Sequence, residues 1–188
     1  MFVASEFVFV HTPKTGGSTV TNVMQRKATN AWWLRMHGTL EQLPKEFGQG
    51  KFIFTFVRHP ETWRKSWYGH MRSNPNKLWP YHMDMFLAKR DGVKTYEQAI
   101  KWCIANPDMC YATLFQQYRT SRDFMAKVFT MENMAQDLQT IWTRLGWGEL
   151  PEFVPRNPGR YDGLDFTCSA ELMERYLKIE APIIKAYY

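Results

Sequence analysis

The chain has 188 residues, of which 45% are hydrophobic, 22% charged and 16% aromatic. These proportions exclude a disordered, collagen-like or coiled-coil protein and predict one globular domain over residues 1–188. Lysine and arginine outnumber aspartate and glutamate by 24 to 18, a formal charge of +6, which favours an anionic ligand or partner.

The elements follow in chain order. FVFVH at 7–11 reads as a strand that stops at Thr12-Pro13, and Gly16 and Gly17 precede a helix from Ser18 to about Lys27. WWLRMHGTLEQLP reads as a partly irregular connection with a short helix near 39–47. FIFTFV at 52–57 is a second strand; it ends at Arg58 and passes to Pro60, a good first helical residue, with helix to about Arg72. SNPNKLWPYHMD reads as a loop and a lid candidate, whose Trp79, Tyr81 and His82 can stack on an acceptor. Helices are expected at 96–105 and 111–118, a third strand at 127–131, and a helix capped by Asn133 and ended by Gly146. A long loop at 151–163 leads to a final helix opened by Ser169. Repeated strand–loop–helix units predict an α/β fold: P-loop-containing, three-layer, with a mainly parallel sheet flanked by helices and ligands at the strands' carboxyl ends.

Cys103, Cys110 and Cys168 form no CxxC pair and read as reduced structural thiols, not as a disulfide framework or zinc site. The first apolar run, residues 7–10, is too short for a signal h-region or a membrane span, so the expectation is a soluble, cytoplasmic protein.

Two motifs lie at strand ends. In HTPKTGGSTV at 11–20, glycines let backbone N–H groups converge at a helix start, Lys14 adds a positive charge, and Thr15, Ser18 and Thr19 carry hydroxyls that can donate to phosphate or sulfate. A nucleoside-triphosphate loop sets its lysine after the last glycine; here Lys14 precedes Gly16 and Gly17, and Ser18 stands in the lysine's place. The second strand ends in Arg58 instead of a magnesium-holding aspartate, which disfavours a magnesium nucleotide. Arg58 and Ser66 can clamp a second phosphate, the arginine by a charge-assisted fork. Trp63, Trp67 and His70 share one helical face, a core stripe, and Arg119 and Arg122 read as surface cations.

Together the motifs resemble the nucleotide-dependent sulfotransferases, in the carbohydrate-type branch with a PKTGG loop. The residues that carry the resemblance are Lys14-Thr15-Gly16-Gly17-Ser18-Thr19 and Arg58-His59-Pro60…Arg64…Ser66…Tyr68, with MHGT at 36–39, VFTMENMAQDL and RNPGRY as weaker matches. The resemblance implies transfer of a sulfuryl group from 3′-phosphoadenosine 5′-phosphosulfate (PAPS) to a carbohydrate or small-molecule hydroxyl or amine. The product would be 3′,5′-ADP, and no metal is required. It assigns the 5′-phosphosulfate to residues 14–19, the 3′-phosphate to Arg58 and Ser66, and closure over the nucleotide to Arg156 and Asn157, with Arg160. Lys14 is expected to stabilise the leaving phosphate and His37 to take the acceptor proton. His11 would support the loop, His59 would be conformational, and His70 and His82 would face the acceptor. The competing readings are a small-molecule P-loop kinase and a non-catalytic nucleotide- or RNA-binding module; no RNP or KH pattern favours the latter.

Overall fold

Apolar side chains fill nearly every position of residues 7–10 and 52–57, the pattern of strands covered on both faces. A computed structural model, which describes residues 1–73, 83–154, 161 and 163–188, places both segments inside one sheet. The described residues group into two units, Met1–Arg58 with Phe115–Pro158 and His59–Leu114 with Gly159–Tyr188. The strands are β1 (Phe2–Val3), β2 (Phe7–Val10), β3 (Trp32–Trp33), β4 (Phe52–Val57) and β5 (Lys127–Thr130). The helices are α1 (Gly17–Met24), α2 (Lys45–Gly48), α3 (Pro60–Ser73), α4 (Met83–Arg90), α5 (Tyr96–Ala105), α6 (Tyr111–Arg119), α7 (Met134–Arg144), α8 (Ala170–Ile179) and α9 (Ala181–Tyr187).

Among the described residues the first unit carries a five-stranded sheet in the order β3-β1-β2-β4-β5. β2, β4 and β5 run parallel, with Phe7 opposite Phe52 and Phe54 opposite Lys127. β1 pairs antiparallel with both β2 and β3. The α/β class holds, but the expected mainly parallel sheet is in fact mixed. Two-residue strands such as β1 and β3 offer too few positions for an alternation signal, so Trp32 and Trp33 read as irregular chain in the sequence.

Alternation sorts the sheet's side chains between two layers. Phe7, Phe9, Phe54, Phe56 and Phe129 pack with Val20 and Val23 of α1 and with Leu138, Ile141 and Trp142 of α7. Val8, Val10 and Ile53 pack on the other face with Leu40, Leu43 and Ala126. Each such side chain contributes roughly 1.5–3 kcal/mol when fully buried, and the aromatic layer therefore dominates the unit's stability. Met131 N–H donates to Val57 O, so the alternate N–H of Thr130 faces the outer edge of β5, where the Asp137 carboxylate accepts it at 2.8 Å. Asn133 occupies the N-cap of α7 without a side-chain cap bond; the carboxylate one turn on takes up a neighbouring N–H in its place.

The second unit is helical among the described residues. Trp63 and Trp67 are buried, as the stripe on α3 predicts, and Trp63 stacks on Tyr111 with ring centroids 4.2 Å apart. Arg64 is fully buried, its guanidinium 4.9, 4.6 and 5.6 Å from the rings of Trp63, Trp67 and Tyr176. Glu180 is also fully buried, and its two carboxylate oxygens accept the N–H groups of Tyr111 and Ala112 at 2.9 and 2.7 Å. It thereby caps the start of α6 from a distant part of the chain and supplies negative charge near Arg64. The loop expected at 73–84 gives way to α4 from Met83, and Trp79, Tyr81 and His82 lie outside the described residues. All three cysteines are free thiols, Cys103 and Cys110 buried. Among the described residues no helix is long and apolar enough to cross a membrane.

Glu180→Ala removes two hydrogen bonds to a charged acceptor, each worth about 1.5–3 kcal/mol, and should lower the free energy of unfolding by roughly 3 kcal/mol or more. Glu180→Gln, which keeps one acceptor oxygen, should lose about half as much in the same denaturant titration.

Candidate functional site

Because β2 and β4 are parallel and adjacent, the chain leaves both at the same edge of the sheet. Beyond β2, the Thr12 and Thr55 hydroxyls lie 2.8 Å apart and tie the two exits together. The Thr15 hydroxyl donates to the Thr12 carbonyl at 2.8 Å and is fully buried. Of the three hydroxyls expected to face an anion, Thr15 is thus committed inward, Thr19 is buried and Ser18 is exposed. Lys14 has φ of 63° and Gly16 a φ of 76° just before α1. The left-handed region is natural for glycine and unfavourable for lysine, so strain is concentrated at the one residue of this loop that carries charge.

Arg58 follows β4 directly, and its Nη1 donates to the Lys14 carbonyl at 3.3 Å. Burial first, and the Arg58 guanidinium second, pull the Lys14 ammonium down to about 8. His37 also has a left-handed backbone, φ 53°. Its Nδ1 lies 3.1 Å from the His11 carbonyl, which can only accept, so Nδ1 carries the proton and Nε2 is the basic nitrogen. Burial lowers the His37 pKa; the bond to His11 opposes this, and the positive charges of the N-terminus and Lys14 add to it. A neutral imidazole at pH 7 follows.

His11 holds this corner together. Its ring lies 4.4 Å from that of His37 and stacks at 5.6 Å on Phe9. Gly17 also lies against the ring, where a Cβ would stand 1.8 Å from a His11 ring carbon. Lys14, Gly16, Gly17, Ser18, Arg58 and His37 are therefore brought to one end of the first unit, as two cations, a helix start and a neutral imidazole. Such a set can bind an anion and accept a proton.

Ser66 belongs to the second unit, on α3, and is 5% exposed. Its hydroxyl lies 2.9 Å from the Tyr161 hydroxyl, which also donates to the Ser66 carbonyl at 3.2 Å. The sequence gives no local signal for a contact across 95 positions. Arg156, Asn157 and Arg160 lie outside the described residues. His59 meets the Tyr188 ring at 5.2 Å, His70 and Arg119 are half-buried, and Arg122 is exposed. Among the described residues no group of three or more His, Cys, Asp or Glu side chains could hold a metal ion. A cavity of about 1180 Å³ in the first unit opens at the amino-terminal ends of β4 and β5, beside Lys51, Phe52 and Phe124, and includes none of the predicted residues.

No family model, curated protein or solved structure matches the chain.

Gly17→Ala forces a methyl group into the His11 ring and should destabilise the protein by roughly 1–3 kcal/mol, the range for overpacking. Adding His11→Ala to that variant should recover part of the loss, so the two effects, measured by denaturant unfolding, will sum to more than the double substitution.

Proposed function

We propose that the protein is a sulfotransferase that moves the sulfuryl group of PAPS to a hydroxyl or amine of a carbohydrate or small molecule. The observation that carries this reading is Lys14, half-buried on a left-handed backbone beside Arg58 and His37 at the start of α1. In this reading the 11–20 connection is a phosphate-binding loop of the P-loop class.

When bound, the nucleotide supplies an activated sulfuryl group on a phosphosulfate linkage. The Lys14 ammonium would hold the phosphate from which the sulfuryl group departs, where a positive charge contributes most as negative charge develops. The N–H groups at Gly16 and Gly17 and the exposed Ser18 hydroxyl would hold the phosphosulfate group. Arg58, planar and permanently charged, suits a phosphate fork. His37 Nε2 accepts the proton of the acceptor group, and its bond to His11 fixes the ring's orientation. The transferred group carries less charge than a phosphoryl group, which reduces the need for a divalent metal. The reading carries with it a cytoplasmic location, in keeping with three free thiols.

Calorimetry should give tighter binding of 3′,5′-ADP than of 5′-AMP, and Arg58→Ala should reduce that preference about tenfold, the loss of one charge-assisted phosphate contact. Equal affinity of the wild-type protein for the two nucleotides would remove the reading.

The Lys14 charge is present below pH 8 and is lost above it. Affinity for 3′,5′-ADP should therefore fall as pH rises from 8 to 9, by up to about fivefold. In Lys14→Met the same titration should lack that fall.

A further inference from the structure

Exposed apolar surface is gathered at one place in the first unit. Among the described residues six large apolar side chains are exposed, and three of them, Trp32, Trp33 and Met36, fall on β3 and the turn after it, immediately before His37. Trp63, Trp67 and Trp142 are by contrast buried. A cluster of exposed apolar groups marks a binding surface in a way that scattered ones do not.

The pairing of β3 with β1 decides which of these groups can reach the site. Trp33 lies opposite Phe2 and Trp32 opposite Val3, so alternation sends the two indoles to opposite faces of the sheet. Trp32 meets the ring of Phe47 at 5.7 Å. Trp33 lies on the face of Phe2 and Phe9 and meets the His11 ring at 5.8 Å; His11 in turn lies 4.4 Å from the His37 ring. The Trp33 indole and the His37 imidazole are therefore neighbours of the same ring.

The indole is held but not covered. Phe2 and His11 stand tilted to it, at 59° and 40°, and 38% of Trp33 is exposed. Leu34 N–H donates to the Met1 carbonyl at 3.1 Å, which fixes the end of the strand. An indole on a fixed backbone offers a large, rigid contact face at little entropic cost. The C–H-bearing face of a pyranose is apolar while its rim carries hydroxyls, and those C–H groups are drawn to the negative face of an aromatic ring. A small phenol or amine gains its affinity from enclosure. An open platform on an edge strand suits instead one ring of a longer chain, whose neighbouring sugars extend past it on either side.

We propose that Trp33 is the acceptor platform: it stacks a sugar ring of an oligosaccharide and so presents a hydroxyl to His37 Nε2. This rests on the sulfotransferase reading and adds to it a specificity-determining residue outside the motifs that carry the resemblance.

The test measures transfer of labelled sulfuryl from PAPS to a set of neutral, amino and uronate oligosaccharides and to a simple phenol, with direct binding of the oligosaccharides in the presence of 3′,5′-ADP. The variants are Trp33→Ala, Trp33→Phe and, on the opposite face, Trp32→Ala, with melting temperature and 3′,5′-ADP affinity recorded for each. Trp33→Ala should raise both KM and Kd for the oligosaccharide that serves as acceptor about tenfold, through the lost stacking surface, with 3′,5′-ADP affinity unchanged. Trp33→Phe should keep most of the wild-type affinity and Trp32→Ala all of it. Unchanged KM and Kd in Trp33→Ala would overturn the platform, and so would an equal loss of 3′,5′-ADP affinity, the mark of a structural role. A wild type that prefers 3′,5′-ADP to 5′-AMP yet neither binds nor sulfates an oligosaccharide overturns it too and leaves the donor reading standing. A wild type without that preference removes the donor reading, and this proposal with it.

Discussion

The parallel pairing of β2 with β4 is the constraint on which the candidate site depends. Val10 lies opposite Thr55, so both strands deliver their chains to one edge, and the Thr12–Thr55 hydroxyl pair extends the pairing beyond the ladder. An antiparallel partner would have carried Arg58 to the other end of the sheet. As it is, a guanidinium reaches the Lys14 carbonyl without any long-range steering by loops. The aromatic layer that locks the register is the same layer that supports α1, so the loop's anchor and the unit's core are one body.

That corner carries its own electrostatic tension. Two cations share a partly desolvated space, and burial first, with the Arg58 charge second, lowers the Lys14 pKa. An anion between them would relieve both effects at once. His37 lies under the same field, and its pKa is lowered first by its own burial, with the Lys14 charge adding to the effect.

Legibility in the sequence followed physical range. β2, β4 and β5 were readable because aromatic and β-branched runs bounded by turn residues are local signals. α3 was readable from Pro60 and the Trp63–Trp67 spacing, and the end of α7 from Gly146. β1 and β3 were not, because their pairing is decided by tertiary contact between two-residue segments, and it is these two strands that make the sheet mixed. At the site, Lys14 and Arg58 were legible as cations just past strand ends, and His37 as an imidazole in the connection between the two motifs. Thr15 was legible only as a hydroxyl; its inward bond to Thr12 depends on how the loop turns. The contact of Tyr161 with Ser66 and that of Glu180 with the start of α6 join residues 95 and 69 positions apart, beyond any periodicity.

The Asp137 carboxylate on the Thr130 N–H has a consequence for the molecule among its neighbours in a concentrated solution. A strand at the margin of a sheet offers a template for a foreign strand, and chains that leave it bare tend to join edge to edge. Here a donor on that margin is already occupied by an ionised side chain, and Lys127 stands exposed beside it. An incoming strand would have to displace the carboxylate and approach a lysine, so this side of β5 discourages edge-to-edge self-association.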